Sequence, residues 1–206
     1  MPRSDFFRNL GLFVLDDFLE PRLCVALCGE MSCAASKQGK IVMASGEELT
    51  NESVRRVLRA KVMGPNELFV RDRLELIRPK LQDHFSVSLA SSESAEFLVY
   101  REGGFYTPHT DAARDPHLYT SRRRVSVVVF LNGESEQPAQ NCYGGGKLTF
   151  HGIVSEPPWA NCAFSMDSHP GLLVAFRSDL VHEVSPVTFG KRFTIVSWFS
   201  GDGINN

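Results

Sequence analysis

Three side chains of metal-binding type stand at spacings suited to a single ion. His109 and Asp111 flank Thr110, and His182 follows 71 residues after Asp111. Residues two apart on a β-strand point to the same face, so we expect His109 and Asp111 to converge on one point. His182 is the expected third ligand. Two histidines and one carboxylate form the facial triad that leaves half of a ferrous ion's coordination sphere open for substrate and oxygen.

A later arginine indicates what else this site binds. Arg192 lies ten residues after His182, behind the turn-like residues 188–191, and it begins an apolar run, 193–199, that is typical of a strand. A hairpin there would return Arg192 to the metal. Its guanidinium can then bind a carboxylate through two parallel hydrogen bonds, which a lysine cannot match. The pattern predicts an iron site with a dicarboxylate cosubstrate.

Further short motifs surround these residues. They are Tyr100 and Tyr106, nine and three residues before His109; the strand-like run 123–132; Gly145-Gly146-Lys147-Leu148; the approach to His182 in 178–186; and Ser197-Trp198-Phe199. In these motifs the chain resembles the iron(II) and 2-oxoglutarate dependent dioxygenases, in the prolyl 4-hydroxylase-like branch. The resemblance covers roughly the second half of the chain closely and the first part loosely.

This resemblance implies cofactors as well as a fold. It implies Fe(II) on the triad, 2-oxoglutarate and O2 as cosubstrates, and ascorbate as an additional reductant. Arg192 would hold the far carboxylate of 2-oxoglutarate, with Tyr100 and Thr194 in the same pocket. Phe130 departs from the pattern, because animal oxygen-sensing prolyl hydroxylases carry a cosubstrate-binding tyrosine there. That hydrogen bond is expected to be absent or replaced.

The resemblance also implies a reaction and a substrate. Asp111 fills the coordination position that a halogenating oxygenase keeps free for chloride, so we expect hydroxylation of an unactivated C–H bond. Tyr106, Arg123 and Trp198 occupy the positions that line the substrate proline site in the related enzymes. A prolyl residue in a peptide or protein is therefore the expected substrate.

Other interpretations stay open at this point. The substrate could instead be a free amino acid or another small metabolite. Tyr106 and Trp198 could be core aromatics, and Arg123 a surface charge. More remotely, the triad could bind zinc or nickel in a hydrolase or a non-catalytic jelly-roll protein. Arg192 argues against this last alternative, because a hydrolase needs no dicarboxylate clamp.

The second half of the chain is typical of a β-sandwich. From Ala95 onward, short β-branched and aromatic runs are divided by Gly and Pro; they are 97–101, 125–132, 147–151, 172–176, 181–187 and 193–199. The run 125–131 is continuously apolar and should be covered on both faces. We expect a mainly β protein, with a double-stranded β-helix (jelly-roll) core mostly within 95–200.

The first half is expected to support that core with helices. We predict a strand at 12–15, a helix at about 21–35, a loop at 36–51 and a second helix within 65–85. The loop could lie near a substrate entrance or be a plain surface connection. Leu74, Leu76, Ile77 and Leu81 form the expected apolar stripe of the second helix, and Pro79 should kink or interrupt it. Helical support mostly within 12–90 and the jelly-roll form one domain, 1–206.

Charge and composition limit the partners. Lys plus Arg number 22 against 24 Asp plus Glu, a net charge of -2, so no global field attracts nucleic acid or an anionic membrane. The basic clusters 55–61 and 122–124 are expected to be solvated faces or substrate contacts. No signal peptide and no apolar run near the ~18 residues of a membrane span are present, so a soluble, cytoplasmic protein is expected. The oligomeric state stays open.

The remaining reactive side chains are assigned to structure. Five cysteines without a CxxC pair argue against a disulfide framework or a zinc knuckle. Cys24 and Cys28 are expected to be small core residues, with a redox pair as the alternative. The histidines without a companion at ligand spacing are expected to be surface or hydrogen-bonded residues; they are His84, His117, His151 and His169.

Overall fold

The chain folds into facing β-sheets with helices along one side. The structure is a computed structural model that describes residues 3–43, 45–153 and 162–201. Within these residues the helices are α1 Arg3–Asn9, α2 Pro21–Cys33 and α3 Pro65–Phe85, with a short 3-10 helix at Tyr119–Arg122. None of these helices is long and apolar enough to cross a membrane.

The strands of the described residues follow in chain order. They are β1 Leu12–Leu15, β2 Ser36–Gln38, β3 Ile41–Val42, β4 Glu48–Leu49, β5 Arg55–Arg56, β6 Leu58–Ala60, β7 Leu89–Ser92, β8 Glu96–Arg101, β9 Phe105–His109, β10 Arg123–Phe130, β11 Gly133–Glu134, β12 Cys142–Gly145, β13 Leu148–His151, β14 Ala163–Met166, β15 Leu173–Arg177, β16 His182–Val184 and β17 Val187–Gly201.

Two sheets form the core of the fold. The major sheet has the order β1-β15-β10-β17-β8-β6-β2, with β7 and β12 also paired to β17 and β11 paired to β12. The minor sheet has the order β14-β13-β16-β9-β5, and β3 and β4 form a separate hairpin. Except for the β11–β12 pair, the strands pair antiparallel. The predicted jelly-roll core with N-terminal helices packed on one sheet is confirmed.

The central strand β10 shows why the run 125–131 is apolar at every position but Ser126. Val125, Val127 and Val129 face a core cluster that contains the buried residues of α2 and α3. Val128 and Phe130 face the opposite way, into a cluster shared with β13 and β14 of the minor sheet. Alternate side chains of one strand thus contribute to both layers. The predicted cover on both faces is confirmed.

Helix α3 corrects one part of the predicted stripe. Leu74, Ile77 and Leu81 are buried, together with Val70, but Leu76 is 70% exposed. A helix turns by ~100° per residue, so Leu76 lies roughly 200° around the axis from Leu74 and faces solvent. Pro79 lies inside α3 and does not interrupt it, because the helix continues to Phe85.

Two predicted irregular segments are strands instead. Residues 36–51 contain β2, which pairs with β6 at the edge of the major sheet, and the β3–β4 hairpin. Residues 188–191 are not a turn, since β17 runs unbroken from Val187 to Gly201. Gly190 takes a positive φ of 73° where β17 meets β12, a conformation that suits glycine. Arg192 therefore lies within a long strand, not at its start.

Cys24, Cys28 and His84 pack against other side chains of the fold. Cys24 is fully buried and Cys28 partly buried in the core beneath the major sheet, as expected. Burial raises the pKa of Cys24 to about 11 and that of Cys28 to about 12, so both stay protonated thiols. His84 packs edge-on against Phe13 and Phe85. Within the described residues, the lone histidines belong to no metal-binding group.

Candidate metal and cosubstrate site

The three predicted ligands meet between the two strands β9 and β16. His109 ends β9, His182 begins β16, and the two residues are direct cross-strand partners. The Nε2 atom of His109 lies 3.7 Å from Asp111 Oδ1, and that of His182 lies 3.6 Å from Asp111 Oδ2. The ligand atoms of all three lie within 4.8 Å of one another, and in the described parts of the chain no other such group is found. They are close enough to share one ion.

The second nitrogen of each imidazole fixes its orientation. His109 Nδ1 lies 2.8 Å from the Thr107 carbonyl oxygen, and His182 Nδ1 lies 2.9 Å from that of Leu180. A carbonyl can only accept, so Nδ1 carries the proton and donates in both rings. This tautomer leaves the Nε2 lone pairs facing each other and Asp111, which is the arrangement a metal-binding histidine pair needs.

Asp111 reaches the site by a different geometry from the one expected. β9 ends at His109, so Asp111 is not on the strand. Its backbone amide, like that of Ala112, donates to the carbonyl oxygen of Ser178, at 2.9 and 2.8 Å. These bonds tie the residues after β9 to the segment that precedes His182. The convergence with His109 was correctly predicted, but a turn pinned to Ser178 produces it.

The ionisation of His109 and Asp111 suits a divalent cation. Burial and the neighbouring His182 lower the pKa of His109 to about 3. Burial alone would raise the pKa of Asp111, but the two histidines and the side-chain hydrogen bonds of Ser126 and Trp198 hold it below its ordinary value. Neutral imidazole and ionised carboxylate are the forms that bind metals. The donor set therefore fits a divalent ion.

Arg192 is buried, and no carboxylate of the described residues forms an ion pair with it. It is 1% exposed, and its Nη1 donates to Thr194 Oγ1 at 3.2 Å. Its Nε and Nη2 are buried and have no hydrogen-bond partner in the described parts of the chain. A guanidinium in this state is costly unless a ligand completes it. The Nε and Nη2 groups of one planar guanidinium can both donate to a single carboxylate.

Aromatic rings bracket this guanidinium. The Arg192 Cζ lies 5.0 Å from the centre of the Tyr100 ring and 5.1 Å from that of Phe130. Tyr100 is the cross-strand partner of Arg192, and Phe130 that of Thr194. A side chain at Gly146 would begin 3.0 Å from Arg192 Cδ, so glycine there lets the β12–β13 turn pass close to the arginine. Arg192, Tyr100 and Thr194 line one cavity with the triad, of about 420 Å³.

The three expected substrate residues line the same cavity. The Tyr106 ring stacks on the His109 ring, with centroids 3.5 Å apart and planes 17° from parallel. Arg123 lies over the Trp198 ring at 3.8 Å. It also makes two hydrogen bonds to Glu93, Nε to Oε1 at 2.8 Å and Nη2 to Oε2 at 2.7 Å. Arg123 is thus 9% exposed and no surface charge, and Nη1 is the nitrogen that Glu93 does not engage.

The run 55–61 was expected to form a solvated face or substrate contacts, and for Arg55 the solvated face is excluded. This side chain is 8% exposed and lines the cavity. Its guanidinium lies 4.8 Å from the centre of the Tyr106 ring, its cross-strand neighbour. A sequence signal was present, because Arg55 alternates with the buried Val57 and so shares its face. Gln38, which also lines the cavity, carried no such signal.

Comparisons with known proteins agree with this fold. A family model described as the 2OG-Fe(II) oxygenase superfamily matches residues 95–200. The chain belongs to this superfamily, which uses Fe(II) and 2-oxoglutarate. A PKHD-type hydroxylase of Maricaulis maris is 29% identical over 126 residues, covering 59% of this chain and 50% of the relative. One from Picosynechococcus sp. is 33% identical over 102 residues, covering 50% of this chain and 39% of the relative. The chain spans about half the length, or less, of these relatives.

Solved structures share the fold. A Pseudomonas putida prolyl-4-hydroxylase superimposes with a TM-score of 0.71 at 23% identity, covering 97% of each chain. A Trichoplax adhaerens prolyl hydroxylase, in complex with a hypoxia inducible factor oxygen degradation domain peptide fragment, gives 0.72 at 18% identity, covering 96% of this chain and 89% of that one. At these identities the likeness establishes the fold.

Proposed function

We propose that this chain hydroxylates a prolyl residue in a peptide or protein, using Fe(II), 2-oxoglutarate and O2. One observation carries the proposal: Arg192 presents two unpartnered buried donors in the cavity that also contains the metal triad. A metal-binding hydrolase gains nothing from a buried, uncompensated guanidinium. A cosubstrate with a far carboxylate explains why it is there.

Each residue of the site has its own role in the proposed reaction. When bound, the iron, 2-oxoglutarate and O2 supply the oxidation, which yields succinate, carbon dioxide and one C–OH group. His109, Asp111 and His182 hold the ion on one side and leave its other side open. Arg192 binds the far carboxylate, with Thr194 fixing its Nη1 and Tyr100 closing the pocket. We also propose ascorbate as the reductant that keeps the ion ferrous.

The walls of the cavity protect and orient the reaction. Tyr106 covers one face of His109, while Phe176 packs edge-on to His182 with centroids 4.6 Å apart. These rings restrict water at the two imidazoles. Ser126 and Trp198 help to hold the pKa of Asp111 below its ordinary value and so favour its ionised form.

A prolyl substrate fits the aromatic and donor groups beside the triad. Trp198 offers flat apolar contact to a pyrrolidine ring, and Tyr106, whose two faces meet His109 and Arg55, offers its ring edge. Arg123, held by Glu93, can donate through Nη1 to a peptide carbonyl and so fix which C–H faces the metal. The peptide bound to the Trichoplax enzyme supports a substrate of this kind.

The test is a coupled assay with a defined null variant. The purified protein, with Fe(II), 2-oxoglutarate and ascorbate in air, should form succinate and add one oxygen to proline in peptides or host proteins, as read by mass spectrometry. Asp111→Ala should do neither. If a free amino acid or other metabolite gains oxygen efficiently while no proline does, the protein is a small-molecule hydroxylase instead.

A further inference from the structure

The wall of the cavity formed by β2 to β6 and the start of β8 has more positive charge than its own carboxylates neutralise. Among the described residues lining this wall are four cations, Lys37, Lys40, Arg55 and Arg59, and two anions, Glu48 and Glu96. Lys40 lies 3.5 Å from Glu48, and Arg59 lies 3.0 Å from Glu96. Those two pairs use both carboxylates and leave an excess of positive charge.

Arg55 is the buried member of this set. The Glu96 carboxylate lies 3.7 Å from Arg55 Nη2 but 3.0 Å from Arg59 Nη1, so it neutralises Arg55 only in part. Its Nη1 donates to the Lys40 carbonyl oxygen at 2.7 Å, and its buried Nε has no hydrogen-bond partner among the described residues. Gln38 Nε2, on strand β2 in the lining of the same cavity, is likewise buried and has no partner in that part of the chain. Unused buried donors of this kind are costly unless a ligand meets them.

We propose that Arg55, assisted by Gln38, forms a subsite that binds a substrate carboxylate beside the residue being hydroxylated. This inference rests on the proposed function, for which it specifies the substrate: a proline with an acidic residue nearby. The Arg55 guanidinium is separated from the His109 ring only by the Tyr106 ring, at 4.8 and 3.5 Å. An extended peptide advances ~3.3–3.6 Å per residue, so the acidic residue lies within about three positions of the proline.

The subsite is separate from the one assigned to the cosubstrate. Arg192 belongs to β17 of the major sheet, whereas Arg55 belongs to β5 at the edge of the minor sheet. Tyr106 stands between Arg55 and the triad. We therefore assign a carboxylate at Arg55 to the peptide and the far carboxylate of 2-oxoglutarate to Arg192.

The experiment uses a synthetic library of peptides with one central proline and randomised flanks, acetylated and amidated at the ends. With the wild-type enzyme, hydroxylated peptides should be enriched in Asp and Glu within three positions of the proline. Arg55→Gln should abolish that enrichment and raise KM for an acidic peptide about tenfold. It should affect the matching Gln-containing peptide much less than the acidic one. Arg56→Gln is the matched control, because Arg56 is exposed, pairs with Glu52 and does not line the cavity.

A purely structural role for Arg55 would give a different result. If Arg55 only supports Tyr106 and His109, Arg55→Gln will slow acidic and neutral peptides equally and weaken Mn(II) binding, which overturns the subsite. Free-acid peptide termini, compared with amidated ones, distinguish a chain-end carboxylate from a side chain as its source.

A binding assay separates failure of the subsite from failure of the proposed function. The same library is captured without oxygen on Mn(II)- and 2-oxoglutarate-loaded protein. Acidic enrichment that depends on Arg55, with no proline hydroxylated in air, would reject prolyl hydroxylation while supporting the subsite. Absence of any acidic preference in both assays would reject the subsite.

Discussion

His109 and His182 are direct cross-strand partners whose ring centroids lie 4.2 Å apart. His109 lies at the end of β9 and His182 at the start of β16, far apart in sequence, so neither strand alone can bring the two imidazoles together. Pairing of β9 with β16 in the minor sheet brings them together, and Ser178, just before β16, receives the amides of Asp111 and Ala112. The triad therefore depends on the register of a single strand pair.

The first prediction concerns metal binding by this pair. His182→Ala removes one of three ligands, so substrate-dependent succinate formation should be lost and Fe(II) or Mn(II) affinity should fall at least tenfold. Metal should raise the melting temperature of the wild type, since a ligand at 100 times its Kd adds ~2.7 kcal/mol to the free energy of unfolding. That rise should shrink in the variant.

His117→Ala is the control for loss of a histidine. His117 is exposed and does not line the cavity, so activity and metal-dependent stabilisation should both persist. Full activity in His182→Ala would remove His182 from the metal site.

A second prediction compares two buried arginines. Arg192→Met removes a guanidinium with two unpartnered donors, so KM for 2-oxoglutarate should rise at least tenfold, because each hydrogen bond to a charge is worth ~1.5–3 kcal/mol. The ligand-free protein should unfold no more easily, and its free energy of unfolding should rise by up to ~1 kcal/mol, since an unsatisfied buried group is removed.

Arg123→Met should show the opposite stability effect, because that arginine is paired with Glu93 at 2.7 Å. Chemical denaturation of both ligand-free variants measures the difference. A large loss of stability in Arg192→Met, with 2-oxoglutarate dependence unchanged, would show that Arg192 is structural.

The third prediction tests the face of α3 that packs on the sheet. Leu74 is 1% exposed and Leu76 is 70% exposed on the same helix. Leu74→Ala should lower the free energy of unfolding by ~2–5 kcal/mol, because it leaves a cavity in the core. Leu76→Ala should change it by no more than about 0.5 kcal/mol, as is usual for surface substitutions. Urea denaturation distinguishes them, and equal losses would contradict the orientation of α3.

Leu76 also illustrates what the sequence could and could not predict. The strands of the second half were predictable because β-branched runs stand between glycines and prolines. The triad was predictable because two residues of metal-binding type stand two apart and a third follows in a strand-like segment. Leu76 was misassigned because four apolar residues close in sequence do not all fit one helical face. Val70, one turn before Leu74, completes the stripe instead.

Arg55 and Arg123 show a second limit of prediction from the sequence. Each stands in a run of basic residues that resembles a solvated surface, and only pairing distant in sequence buries them. Glu93 and Glu96, the carboxylates that receive them, come from the start of β8 and the segment before it. Local composition does not indicate those partners, so the burial of these two arginines in the cavity wall could not be predicted from the sequence.

The last prediction concerns Arg123 as a substrate-binding residue. Arg123→Ala should reduce proline hydroxylation at least tenfold, because it removes the Nη1 donor proposed for the peptide carbonyl. Metal and 2-oxoglutarate affinities should stay within about twofold, since those groups are held by other residues. Glu93→Gln keeps the arginine but weakens its anchoring, so it should cause a smaller loss. Arg124→Ala, an exposed neighbour, should leave hydroxylation intact.

Parallel measurement of hydroxyproline and succinate is informative, because loss of substrate orientation should uncouple the two and leave succinate in excess. If Arg123→Ala instead lowers both products equally and weakens 2-oxoglutarate binding, then Arg123 supports the cavity through Glu93 and Trp198 and does not contact the peptide.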